Sequence, residues 1–221
     1  MPMTLRPSPA ARKTLLERAA KAYAEQMEDS QIGLEYLAAR GLLDSRNVHH
    51  FGVVGEPVQG HERYEGRLAI PFIGPAGNVY DIRYRCIQDH DHRESKCAKY
   101  LNDPGVETRV YNTRALLAPT DYIFITEGEI DAATLAACGW PAVGLPGASS
   151  WKGGHRPRLF HGFQDIIVIG DGDDAGRQFV DTVVKSLASA RGVMICEGED
   201  VNSTYVKGGK DALRELLKED E

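Results

Sequence analysis

At 221 residues, with 42% hydrophobic and 26% charged side chains, the chain can bury one large core or two small ones, and its composition excludes a disordered protein. No apolar run approaches the roughly 18 residues that cross a bilayer, and residues 1–13 lack the apolar stretch of a secretory leader; a cytoplasmic protein with no membrane partner is expected. The net charge of −6 is uneven: residues 1–120 carry 16 Lys and Arg against 15 Asp and Glu, and residues 121–221 carry 10 against 17. Acidity gathered in one half suits bound cations as well as solvent.

Residues 9–28 put Leu15, Leu16, Ala19, Tyr23 and Met27 at helical spacing. A second helix over 31–40 stops at Gly41, and Asp44 is placed to cap a short third one running toward His50. Segments 68–73 and 79–85, joined by the turn sequence GPAGN, predict a β-hairpin. Just beyond it, Cys86, His90, His92 and Cys97 fall within twelve residues. These are zinc-ligand types, but their spacing is irregular and DHDHRESK has the polarity of a hairpin tip, so no zinc is expected.

From Asp121 the rhythm becomes strand, helix, strand, helix. Strands are predicted at 122–126, 141–145, 165–170 and 193–196, and helices at 131–138, 175–190 and 209–218. This alternation implies a parallel sheet flanked by helices, with the chemistry beyond the carboxyl ends of its strands. Three of the strands run straight into acids: Glu127-Gly128-Glu129 with Asp131, Asp171-Gly172-Asp173-Asp174, and Glu197-Gly198-Glu199-Asp200. Converging carboxylates repel, and a hard divalent cation such as Mg²⁺ or Mn²⁺ relieves that cost. The competing reading is that Asp131 or Asp174 simply caps the helix behind it. An aspartyl-nucleophile phosphatase also opens on a DxD, but the partner motifs it needs are missing downstream.

The series FITEGEIDAATLAACG, IIVIGDGDDAGR and CEGEDVN resembles a Toprim domain, with Glu127 matching its glutamate and Asp171 and Asp173 its DxD pair. Upstream, RLAIPFIGPAGNVYDIRYRCI, the stretch Lys99-Tyr100-Leu101-Asn102 and EYLAARGLLDSRNVHHFGVVGEP are similar to the catalytic core of DnaG-type primases of bacteria and phages. The resemblance covers about residues 30–215.

It implies an α/β protein: a Toprim parallel sheet over 118–221, preceded by a mixed α+β subdomain over 1–117. Glu127, Asp171 and Asp173 would be catalytic. With Asp131 and Asp200 they would hold two Mg²⁺ or Mn²⁺ ions, while Arg67, Arg85, Lys99, Tyr100 and Asn102 would bind template and nucleotides. The implied activity is RNA primer synthesis on single-stranded DNA from ribonucleoside triphosphates, with a replicative helicase or a separate zinc-ribbon chain as partner. A Toprim nuclease and a non-catalytic replisome component remain alternatives.

Two positions depart from the family pattern. Asn202 stands where a second Asp is usual, and Asn112 or Thr113 where a lysine is. The first removes a charge from the second metal site while leaving a carbonyl oxygen that a metal can use.

Overall fold

A computed structural model describes residues 9–104, 106, 109–146, 148–151 and 156–217. They form two compact units, one from the described residues of 1–36 and 46–106, the other from those of 37–45 and 107–221. The first unit opens with α1 (Pro9–Met27), followed by α2 (Gln31–Ala39), inside which the division between units falls. After the single-turn α3 (Arg46–His49) come β1 (Gly52–Val53), β2 (Arg67–Ile73), β3 (Val79–Cys86) and β4 (Tyr100–Leu101). The four strands make one antiparallel sheet in that order. Pro71 lies inside β2, yet β1 reaches only Leu68 and Ala69, so β2 is an edge strand at Pro71 and tolerates a residue with no N–H.

The apolar stripe of α1 covers this sheet: Leu16, Ala19, Ala20 and Tyr23 pack with Val54, Tyr64, Ala69, Ile82 and Tyr84. At the centre sits buried His61, whose Nδ1 lies 2.9 Å from the Tyr23 hydroxyl and 3.1 Å from that of Tyr84. Tyr64 and Tyr84 stack with centroids 3.8 Å apart.

The second unit holds a parallel sheet of β5 (Tyr122–Thr126), β6 (Ala142–Gly144), β7 (Asp165–Gly170) and β8 (Ala190–Met194), in the order β6-β5-β7-β8. Its helices are α4 (Glu129–Ala137), α5 (Asp174–Val184) and α6 (Val201–Leu217). Ile123, Ile125, Ile166 and Val168 form its core with Val143, Phe160, Phe179 and Val183. β8 begins and ends earlier than the apolar run VMIC suggests. Its register against β7 runs from Ala190 opposite Ile166 to Met194 opposite Gly170, and as an edge strand it is largely exposed, so hydrophobicity marked the strand but not its start. The last helix begins at Val201, eight residues before the predicted start at 209, because it continues through a break at Gly209 (φ 67°).

Candidate functional site

The second unit's strand order fixes where its acids meet. From β5 the chain crosses through α4 to β6 on one side, then returns to place β7 on the other. β5 and β7 therefore flank a topological switch point, where open α/β sheets form crevices at the carboxyl ends of their strands. Thr126 pairs with Ile169 there, and Glu127 and Asp171 are the residues that leave β5 and β7.

Oε2 of Glu127 is buried and accepts no hydrogen bond. Burial raises its carboxyl above the ordinary range, and the charges of Asp173 and Asp131 raise it further. This is the mutual repulsion expected of gathered carboxylates. Asp131, buried on the first turn of α4, accepts the Asn202 N–H at 3.1 Å on Oδ1. Asp173 is the cap of α5, its Oδ1 accepting the Gly176 N–H at 2.8 Å. Capping thus falls to Asp173, not to the Asp174 that the sequence offered, and the same carboxylate keeps a second oxygen.

Two glycines make the DGDD turn possible. A Cβ on Gly172 would lie 1.8 Å from the carbonyl oxygen of Cys196, and one on Gly176 would lie 2.2 Å from that of Asp171. The close approach at Gly172 joins the loops after β7 and β8: its N–H donates to Glu199 O at 2.9 Å, and Gly198 N–H donates to its carbonyl at 3.1 Å. In the second loop Asp200 caps α6. Its Oδ1 accepts Ser203 N–H at 2.6 Å, and its own N–H donates to Ser203 Oγ at 2.9 Å.

Asn202 is fully buried, and its amide is committed. The nitrogen donates to Arg40 O at 2.8 Å and to Thr134 Oγ1 at 2.9 Å, while the oxygen accepts from Arg40 Nη1 at 3.1 Å. The carbonyl expected to remain available to a metal is bound to an arginine instead.

In the first unit the expected basic residues have distinct surroundings. Arg85 is buried, lies 5.1 Å from the Tyr100 ring centre and donates to the Tyr100 hydroxyl. Arg83, two residues along the same strand face, sits 4.1 Å over that ring. Sequence reading passed over Arg83, although its i, i+2 spacing to Arg85 was the available signal. Arg67 donates to Ala98 O at 2.8 Å and to Cys97 Sγ at 3.3 Å. Lys99 and Asn102 are exposed.

The expectation of a plain hairpin tip without zinc is corrected here. One ligand atom from each of Cys86, His90, His92 and Cys97 lies within 4.8 Å of all the others, and among the described residues this is the set of metal-ligand types that closes so tightly. The turn folds back on itself, with Cys97 N–H donating to His92 O at 3.1 Å and Cys86 N–H to Lys99 O at 2.9 Å. Irregular spacing along the chain concealed a regular grouping in space.

The fold of the two units matches that of DnaG-type primase catalytic cores. The DnaG primase catalytic domain solved bound to single-stranded DNA superposes with a TM-score of 0.70 at 19% identity, over 93% of this chain and 80% of that one. The DNA primase of Pseudomonas aeruginosa is 28% identical over 201 residues, 83% of this chain and 28% of the bacterial protein. No protein-family model matches. The chain is similar to the catalytic cores of DnaG-type primases in sequence and in fold. It belongs to one family with the Gene 57 protein of Mycobacterium phage D29, which is 45% identical over 158 residues, 70% of this chain and 99% of the phage protein. The chain thus spans nearly all of the phage relative but less than a third of the bacterial primase.

Proposed function

We propose that this primase core makes short RNA primers on single-stranded DNA by metal-dependent nucleotidyl transfer. The observation that carries the reading is Glu127 at the switch point: a buried carboxylate oxygen with no hydrogen-bond partner, held near Asp173 and Asp131. A hard cation satisfies such an oxygen, and all-carboxylate donors suit Mg²⁺ or Mn²⁺. Glu127, Asp171 and Asp173 would hold the cations, with Asp131 at the flank. Asp200 keeps one oxygen outside its capping bond for the same purpose. When bound, the ions supply Lewis acidity that makes a hydroxyl a better nucleophile and neutralises phosphate charge.

The reaction joins the 3′-hydroxyl of one ribonucleotide to the α-phosphate of the next and releases pyrophosphate. The chain's own share is positional. Gly172 and Gly176 let the DGDD backbone turn tightly enough to present two aspartates from one strand end. The Asp173 cap fixes one of them against α5. In the first unit, exposed Lys99 and the half-buried pair Arg83 and Tyr100, backed by buried Arg85, offer cationic and aromatic groups for phosphates and bases. Template, ribonucleoside triphosphates and a replicative helicase or zinc-ribbon chain would be its partners.

The test is incubation with single-stranded DNA, ribonucleoside triphosphates and Mn²⁺. Labelled primers that disappear with Asp171→Ala support the proposal. DNA shortened without any triphosphate would instead assign the acids to a nuclease.

A further inference from the structure

We propose that Cys86, His90, His92 and Cys97 bind a structural zinc ion that staples the connection between β3 and β4. A tetrahedral site with Zn–S near 2.3 Å and Zn–N near 2.0 Å needs neighbouring ligand atoms about 3.3–3.8 Å apart. Cys86 Sγ lies 3.7 Å from His90 Nε2, and His90 Nε2 lies 3.1 Å from His92 Nδ1. All four ligand atoms fall within 4.8 Å of one another, so sub-ångström side-chain adjustments close the tetrahedron.

The donor chemistry selects the ion. Two thiolates and two imidazoles suit zinc and poorly suit the hard cations that carboxylates hold. Four protein ligands leave no open position, which makes the site structural and not catalytic. Two thiolates also balance the charge of the dication.

The location gives the site its purpose. Cys86 is the last residue of β3, and the other ligands lie in the loop that leads back to β4. β4 consists of Tyr100 and Leu101 alone, paired with Arg85 and Tyr84. So short an edge strand has few ladder bonds of its own. A metal clip would hold the loop against the sheet and fix where Lys99 and Tyr100 stand.

The experiment uses the full-length, untagged chain expressed with zinc supplied. Elemental analysis is expected to find about one zinc per chain, and cobalt substitution to give the intense visible bands and sulfur-to-cobalt charge transfer of a tetrahedral thiolate site. His90→Ala, at an exposed position, and the double variant Cys86→Ser/Cys97→Ser are expected to lose both signals. Cys138→Ser/Cys196→Ser should keep them. A chain that takes up no zinc on titration, or that retains stoichiometric zinc in His90→Ala and in the double variant, overturns the proposal. Metal content is read without any primer being made, so this result stands apart from the primase test.

Discussion

The backbone N–H of Asn202 donates to Oδ1 of Asp131 at 3.1 Å, tying the first turn of α6 to the first turn of α4. The Asn202 amide completes the link through Arg40 and Thr134. The usual aspartate of the family could accept from Arg40 Nη1 but could not donate to the Arg40 carbonyl. Asn202→Asp therefore removes the donor to the Arg40 carbonyl and adds a charge near Asp131. Loss of about 1–3 kcal/mol is expected, read as a lower urea midpoint with no gain in Mn²⁺ affinity. A tighter metal site in this variant would contradict the assignment of Asn202 to structure.

Glu127 should show the opposite balance. In the absence of metal its ionised form is opposed by burial and by Asp173 and Asp131. Glu127→Gln removes that opposition, so in EDTA the variant is expected to melt at or above the wild-type temperature. Primer synthesis should fall about a hundredfold or more, as for loss of a group acting on transition-state charge. Paired melting curves and primer assays check it; a variant both less stable and fully active would contradict the role.

How much of this was legible in the sequence varies with the kind of signal. The central strands β5 and β7 were plain, since a strand buried on both faces is an unbroken apolar run. The edge strand β8 was read three residues late, because exposed Arg191 and Gly192 need no hydrophobicity. The acids after β5 and β7 were legible as residues, but their caps were not. Whether Asp173 or Asp174 caps α5 depends on one residue's backbone angles, and Asp173 is the extended one. The commitments of Asn202 run to Arg40, 162 residues away, which no local pattern encodes.

Gly172→Ala tests the join between the loops after β7 and β8. Its Cβ would need to share space with the Cys196 carbonyl oxygen, 1.8 Å away, and backbone cannot yield as a side-chain tip can. The loops must separate, breaking the bonds of Gly172 with Glu199 and Gly198. The expected cost is about 2 kcal/mol or more, with primer synthesis lost even where the chain still folds. Denaturant unfolding and Mn²⁺ titration together distinguish displaced acids from an unfolded protein.

His61 makes stability depend on pH. Burial lowers its pKa, and the charges of Asp103 and Glu62 only partly offset this. The unfolded chain, with a histidine pKa near 6.5, takes up its proton first as pH falls. Stability is therefore fully present above about pH 6.5 and declines below it, until the folded-state pKa is passed. Each unit of depression corresponds to about 1.4 kcal/mol. Urea midpoints from pH 8 to pH 5 should fall more steeply for wild type than for His61→Gln, which lacks the titrating ring. Parallel profiles would assign the acid sensitivity to other groups.

The basic residues of the first unit should separate into two behaviours. Arg85 is buried and bonded to the Tyr100 hydroxyl, so Arg85→Ala removes packing as well as charge. Lys99 is exposed, and its backbone carbonyl accepts the Cys86 N–H. Lys99→Ala is then expected to leave the melting temperature unchanged while weakening single-stranded DNA binding. The slope of log affinity against log salt should fall by about 0.7, the value for one phosphate contact on a single strand. Arg85→Ala should lower the melting temperature first. Arg83 lies 4.1 Å and Arg85 5.1 Å over the Tyr100 ring, so a base reaches that ring by displacing a guanidinium. Arg83→Ala is therefore expected to lose one phosphate contact's worth of salt dependence while exposing the ring to stacking. Fluorescence titrations of the three variants at several salt concentrations check the order, and identical slopes throughout would remove this strip from the DNA-binding surface.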